Sequence, residues 1–220
     1  MFVLVREGRI DPLKKKLQEG CATDFQLING RTLLMTAVSQ NQEEITQLLL
    51  DRGAAVSIKD TEGQDAFLIA SSIGSEKILT MLLAKGAEVN TRNNAGEGAL
   101  YRAALSGRTD VIEFLSRHGA DFHYDNQGGE TPLMAAVEEG KLETVAALLH
   151  LGADVNQTTA DGSTALMKAA RLRNSGIVAM LLSRGADPFM TDSSGMKASD
   201  YARKIRSDRI LSLLLRAEKR

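Results

Sequence analysis

The segment Gly129–Asn156, GETPLMAAVEEGKLETVAALLHLGADVN, decides the fold of this chain. Read in order, it predicts a turn, a helix of small residues that breaks at Gly140, a second helix with larger apolar residues, and a closing Gly-Ala-Asp. The pattern recurs in both directions at an interval of 33 residues. Two independent series of glycines keep this interval, and two series with one period indicate a repeat protein. The glycines that keep this interval are Gly30, Gly63, Gly96, Gly129, Gly162 and Gly195 in one series, and Gly20, Gly53, Gly86, Gly119, Gly152 and Gly185 in the other.

The motifs within the period resemble those of ankyrin repeats. Thr131-Pro132-Leu133 opens the first helix of the segment, and LLHLGADVN at Leu148–Asn156 closes the second. The resemblance extends over the whole chain. It implies an all-α solenoid of helix-turn-helix repeats, joined by β-turn or hairpin loops, that binds other proteins.

The chain departs from the family's T-P-L-H motif at two places, and each departure leads to a prediction. Asp65 and Gly98 stand where the other repeats have Thr, which predicts weaker turn-to-helix hydrogen bonds in these two repeats. Other residues also stand where the family has His. Together with the compact length of the chain, this substitution favours a bacterial ankyrin protein over a metazoan scaffold. The residues at that place are Met35, Leu68, Tyr101, Met134 and Met167.

The period divides the chain into five central repeats between two capping repeats. Because each repeat can bury its apolar surface only against its neighbours, we expect one domain over residues 1–220. In the N-terminal cap, Asp11 and Pro12 predict a helix start with Asp11 as the N-cap. The predicted units are the partial N-terminal cap 1–26, the repeats 27–59, 60–92, 93–125, 126–158 and 159–191, and the C-terminal cap 192–220.

The size of the apolar residues differs between the two helices of each repeat. In the first helix a large residue such as Leu133 is followed, three and four positions later, by small ones. The second helix carries bulkier residues such as Leu148 and Leu149. Small residues let neighbouring first helices approach closely, so we expect a curved stack with a concave side.

Composition excludes several classes of protein. The net charge of −1 argues against a general polyanion binder. Cys21 is the single cysteine, so no intramolecular disulfide can form, which fits a cytoplasmic location. Met1 aligns with the interior of a first helix, so a secreted or periplasmic location, with a signal peptide removed upstream, stays an alternative. No run of about 18 apolar residues predicts a transmembrane helix.

No pattern in the sequence predicts catalysis, a cofactor or a metal. His118, His123 and His150 lack the spacing of metal ligands, and His118 and His150 lie where helices are expected to end. A helix C-terminus favours a cationic imidazole, which predicts a capping role. Phosphate-binding loops, EF-hand spacing and a Ser-His-acid set are absent as well. We therefore expect a non-enzymatic protein.

The ankyrin resemblance implies that partners are held by the turn tips and by the exposed, concave side of the first helices. An apolar and aromatic centre with arginine and a charged rim is the composition of a protein interface. Alternatively, the Glu and Lys side chains pair with one another across repeats. The predicted centre is Ile69, Ile73 and Leu105, all expected to be exposed, beside Tyr101 and Arg102; the acidic flank is Glu97, Glu130, Glu138 and Glu139, and the basic flank is Lys168, Arg171 and Arg173.

These residues predict an adaptor, an immunity-type inhibitor or an assembly factor that binds a folded protein or peptide on its concave face. A nucleic-acid or anionic-membrane binder is the alternative, acting through Lys14–Lys16 or through the basic flank, although the net charge speaks against it. We expect a monomer, with weak end-to-end self-association as the second possibility.

Overall fold

The computed structural model describes residues 1–122 and 125–219. Within these ranges the chain forms fourteen α-helices and no extended strand, as the ankyrin resemblance implies. The helices are α1 Phe2–Arg6, α2 Ile10–Gln18, α3 Leu33–Ser39, α4 Glu43–Asp51, α5 Ala66–Ile73, α6 Glu76–Ala84, α7 Ala99–Leu105, α8 Thr109–Arg117, α9 Pro132–Glu138, α10 Leu142–His150, α11 Ala165–Arg171, α12 Ser175–Ser183, α13 Ala198–Lys204 and α14 Asp208–Ala217. None of these helices is long and apolar enough to cross a membrane.

The helices form two layers along the stack. The odd-numbered helices, which we call the first helices, contact one another in chain order, and so do the even-numbered second helices. Ala103 and Ala136 are fully buried between first helices, while Leu148 fills the space around the second helix of its repeat. The first helices pack more closely than the second helices do, as the difference in side-chain size predicts.

The turn-to-helix hydrogen bonds only partly follow the expectation from the sequence. Thr131 accepts a hydrogen bond from the backbone N–H of Met134 at 3.2 Å. Asp65 caps its helix equally well, because its carboxylate accepts the N–H of Leu68 at 2.9 Å. The predicted weakness is therefore wrong for Asp65. It is confirmed for Gly98, which has no side chain to accept such a bond.

The turns between repeats form a ladder of backbone hydrogen bonds along the stack. The N–H of Thr61 donates to the carbonyl of Asn29 at 3.0 Å, and the same bond recurs between each pair of consecutive turns. Inside a turn, a side chain such as Asp60 accepts two further backbone N–H groups. The turn tips are thereby held in one row, and the other bonds of the ladder run from Asn94 to Glu62, Gln127 to Ala95, Ala160 to Gly128 and Ser193 to Asp161.

The two glycine series meet different structural demands. Gly129 and Gly152 both have a positive φ, 78° and 95°, which disfavours residues with a side chain. A Cβ on Gly129 would also lie 2.8 Å from the backbone nitrogen of Ala160 in the next turn. A Cβ on Gly152 would meet no atom of the described residues within 4 Å. Close approach of the next turn is thus a requirement of the first series alone, at each of its members except the last, Gly195.

A third series, made of residues with a left-handed backbone conformation, lies in the loops between the first and second helices. Four of its members are glycine and one is Asn41, but Arg173 and Arg206 also adopt a positive φ, of 61° and 55°. The sequence did not reveal this series because three of its seven members, Asn41, Arg173 and Arg206, are not glycine. Its glycine members are Gly8, Gly74, Gly107 and Gly140.

The N-terminal cap departs from the sequence prediction in one respect. Helix α2 begins at Ile10 with Arg9 as its N-cap, so the prediction of Asp11 as N-cap is wrong. Leu13 and Leu17 belong to the buried core. Pro12 is tolerated inside the first turn because the first N–H groups of a helix have no intrahelical partner.

Candidate functional site

Two open grooves lie on the inner face, which we define as the turn tips together with the exposed side of the first helices. The entry groove has a volume of about 280 Å³ and the exit groove about 480 Å³. Six of the residues selected from the sequence line them. Ile69, Ile73 and Arg102 line the entry groove, and Glu130, Lys168 and Arg171 line the exit groove.

The expected exposed apolar centre is not formed. Ile69 is only 7 % exposed and Ile73 and Leu105 are half-buried, so the expected exposure of these three side chains is wrong. Tyr101 beside them is also buried, at 7 % exposure. The position of Ile69 is buried in other repeats too, since Ala135 occupies it at 1 % exposure. The reason is the close packing of consecutive first helices, which leaves this position little access to solvent.

The acidic and basic flanks pair with each other across repeats, as the alternative interpretation predicted. The Lys168 ammonium group lies 2.5 Å from Glu130 and 3.2 Å from Glu138. Arg171 lies 3.3 Å from the same oxygen of Glu138. Lys168 and Arg171 are therefore matched by carboxylates, which leaves Arg173 as the member of the basic flank that has no ion pair in the described part of the chain.

The Glu130 carboxylate is the centre of this network. Its second oxygen accepts hydrogen bonds from the Tyr101 hydroxyl at 3.1 Å and from the Asn126 amide at 3.4 Å. Burial acts to raise the pKa of Glu130, but the hydrogen bond and charge of Lys168, with the bonds from Tyr101 and Asn126, lower it below its ordinary value. Glu130 is thus ionised and held in place at neutral pH.

The phenol of Tyr101 stays protonated because its surroundings disfavour the charged phenolate. Burial, followed by the charge of Glu130 and the hydrogen bond to it, raises the pKa of Tyr101 above its ordinary value. Tyr101 therefore acts as a fixed donor that links helix α7 to the turn before α9.

A second, smaller network lies beside the entry groove. The Arg102 guanidinium donates to Glu97 at 3.2 Å and to the Ser72 hydroxyl at 3.1 Å. Asn93 donates to the same oxygen of Glu97 at 2.8 Å. Glu139, by contrast, is exposed, lines neither groove and forms no ion pair with any described residue.

Asp161 and Tyr201 are among the exit-groove residues that sequence reasoning did not select. Tyr201 occupies the position of Lys168 one period later, so extending the repeat register into the C-terminal cap would have found it. Its hydroxyl donates to Asp192, which raises the pKa of Tyr201 and lowers that of Asp192.

The histidines and the N-terminal lysines form no further site on the described chain. The Nδ1 atom of His118 lies 2.8 Å from the carbonyl oxygen of Phe114, and the two rings stack at 4.1 Å. Lys14–Lys16 are exposed on α2. His123 lies outside the described residues. Among residues 1–122 and 125–219, no group of three His, Cys, Asp or Glu side chains is arranged to hold a metal ion.

Comparison with known proteins decides the family. A family model described as "Ankyrin repeats (3 copies)" matches residues 1–93 and 90–159, and one described as "Ankyrin repeats (many copies)" matches residues 148–202. The chain belongs to the ankyrin repeat family. The resemblance inferred from its motifs is confirmed, while the bacterial type stays a prediction.

Two solved structures are similar to this ankyrin chain over almost its whole length. The ankyrin repeat domain of Bcl-3, a member of the IkappaB protein family, is 28% identical, with a TM-score of 0.82, and the match covers 97% of this chain and 96% of that chain. The human ASB11 ankyrin repeat domain is 24% identical with a TM-score of 0.88, covering 98% and 96%, which shows the fold alone. No curated protein matches the sequence. Ankyrin repeat domains are generally protein–protein interaction modules.

Proposed function

We propose that this ankyrin chain binds a protein or peptide on its inner face and acts as an adaptor, an inhibitor or an assembly factor. The observation that carries the proposal is the pair of grooves between the turn tips and the first helices. Each groove is open to solvent and is lined by charged groups and by apolar side chains, such as Ile73 in the entry groove and Met167 in the exit groove.

The charged groups of this face are ordered before any partner arrives. Arg102, Glu130 and Lys168 are each held by at least two intramolecular partners. Side chains that are already fixed lose little conformational entropy on binding, so the face is preorganised. Thr61 and Arg171 at the groove margins are exposed and can contact a partner directly.

Charge complementarity in the exit groove requires a partner with both signs of charge. Asp161 is exposed there, beside Arg171, whose guanidinium already shares Glu138 with Lys168. A purely anionic ligand would face Asp161 and Glu130, and a purely cationic one would face Arg171. A folded protein or a peptide that carries both positive and negative side chains meets this condition. Complementary charges contribute more to the specificity of binding than to its affinity.

The test is quantitative affinity capture from cells that express the chain natively, with mass spectrometry as the readout. The inner-face variant is Thr61→Arg with Arg171→Glu, one change beside each groove. The matched control is Thr80→Arg with Arg184→Glu, the same chemical changes at exposed positions on the second-helix layer.

We expect a partner that is retained by the wild type and by the control but lost by the inner-face variant. Circular dichroism and urea denaturation should first show that the three proteins are equally folded. A partner that is lost only by the control would contradict binding on the inner face.

A further inference from the structure

Three cations lie at or next to the loop between α13 and α14, and Arg173, in the loop between α11 and α12, reaches the backbone of that loop. Arg173, Lys204, Arg206 and Arg209, which we call the exit patch, are all exposed. The Arg173 guanidinium lies 2.6 Å from the carbonyl oxygen of Ile205, which places it beside the other three. None of the four forms an ion pair within the described part of the chain, and neither does the adjacent Asp208.

The exit patch differs from the surface of the central repeats. There, exposed cations of one second helix pair with acids of the preceding one, as Lys77 does with Glu43 and Lys85 with Asp51 at 3.3 Å. Such pairs balance the charge between neighbouring repeats. The exit patch instead presents a concentration of unbalanced positive charge in a chain whose net charge is −1.

Two of these arginines adopt a backbone conformation that is unfavourable for a residue with a side chain, and only Arg173 offsets this cost with a side-chain hydrogen bond within the described residues. Arg173 and Arg206 adopt the left-handed conformation that glycine or asparagine provides in the loops of all the preceding repeats. A side chain at this position raises the energy of the folded backbone relative to glycine. Residues retained in an unfavourable backbone conformation are candidates for a functional role.

An apolar side chain accompanies the cations. Leu172, directly before Arg173, is 43% exposed. A nucleic-acid backbone offers phosphates but little apolar surface, whereas an acidic protein segment offers carboxylates and apolar side chains together. Arginine also pairs with carboxylates through two parallel hydrogen bonds.

We infer that the exit patch is a second interaction surface, which binds an acidic segment of a partner protein. Carboxylates of that segment pair with Arg206, Arg209 and Lys204, and an apolar side chain of the segment contacts Leu172. In the repeat register Lys204 occupies the position of Arg171, so this surface continues the inner face beyond the exit groove. The inference therefore rests on the proposed function and extends it, and loss of peptide binding would leave the outcome of the inner-face capture experiment unchanged.

The test measures binding by fluorescence anisotropy at low and at physiological ionic strength. The probe is a short labelled peptide of alternating glutamate and leucine, and the comparison probes are the same peptide with glutamine for glutamate, single-stranded DNA, and vesicles of phosphatidylserine and phosphatidylcholine. The patch variant is Lys204→Glu with Arg206→Glu. The matched control, Lys14→Glu with Lys15→Glu, makes the same change of charge at the other end of the chain.

We expect the glutamate peptide to bind the wild type and to lose about tenfold in affinity in the patch variant, but less than about twofold in the control. Arg206→Gly removes the charge and also the backbone strain at this position. This variant should bind the glutamate peptide more weakly while it keeps or gains stability, so the result distinguishes loss of charge from loss of folding. Absence of peptide binding, equal losses in both charge variants, or stronger binding of DNA or vesicles would overturn the inference.

Discussion

The ammonium group of Lys168 lies 2.5 Å from a carboxylate oxygen of Glu130, in the preceding repeat, and the Lys168 side chain is only 9% exposed. This pair joins helix α11 to the turn before α9 and thereby locks the relative position of two repeats. Because both groups are largely removed from water, loss of one partner leaves the other charge poorly solvated.

We predict that Lys168→Met lowers the free energy of unfolding by about 1–3 kcal/mol, because methionine keeps the packing volume but removes the charge that matches Glu130. A double-mutant cycle with Glu130→Gln should give a coupling energy of about 1 kcal/mol or more. The exposed pair Lys77 and Glu43 is the control, with an expected coupling of roughly 0.5 kcal/mol or less. Urea denaturation measures all of these, and equal coupling in the two pairs would refute the interpretation.

The lowered pKa of Glu130 predicts a dependence of stability on pH. For an acid whose pKa is lower in the folded state, the stabilisation is complete above its ordinary pKa of 4.5 and is lost as the pH falls through the folded-state value. The difference in unfolding free energy between wild type and Glu130→Gln should therefore be constant above about pH 6 and shrink in acid. A difference that grows as the pH falls would contradict the assignment.

The two glycine series predict different costs for the same substitution. Gly152→Ala meets no neighbouring atom, so it should lower stability by about 1 kcal/mol, the cost of a left-handed alanine. Gly129→Ala carries the same cost and in addition forces the backbone of Ala160 to move, so we expect a further loss of about 1–3 kcal/mol. Chemical denaturation distinguishes the two, and equal losses would show that the turn tips adapt freely.

Arg173 and Arg206 have a left-handed backbone conformation, which predicts that their replacement by glycine stabilises the fold. Arg206→Gly should raise the free energy of unfolding by about 0.5–1 kcal/mol, because relief of the backbone exceeds the entropy that glycine adds to the unfolded chain. Arg173→Gly should gain less, since it also removes the hydrogen bond to the carbonyl of Ile205. Thermal and urea unfolding of both variants measure this, and a loss of stability in Arg206→Gly would refute it.

Much of the fold was predictable because the repeat encodes it locally. The glycines at helix ends, the threonine caps and the alternation of small and large apolar residues act within one period, and each can be recognised without knowledge of the neighbours. The start of α2 did not follow from its local residues: Asp11 and Pro12 favour a start at Pro12, but the helix begins at Ile10.

The candidate site was predictable only in part. The register placed Ile69, Arg102, Glu130 and Lys168 on one side of the solenoid, and there they line the two grooves. It could not show that Ile69 is buried or that Lys168 is matched by two carboxylates, because both depend on how closely one repeat approaches the next.

By itself the sequence determined the period, the helix pairs and the family, since each follows from residues close together in the chain. Tertiary structure alone decided which of the inner-face side chains reach solvent and which charges pair: among the described residues Arg206 has no ion pair, while Lys168 is buried between two carboxylates. The physical reason is that exposure and ion pairing depend on distances between residues about one repeat apart, and those distances are set by the packing of whole helices.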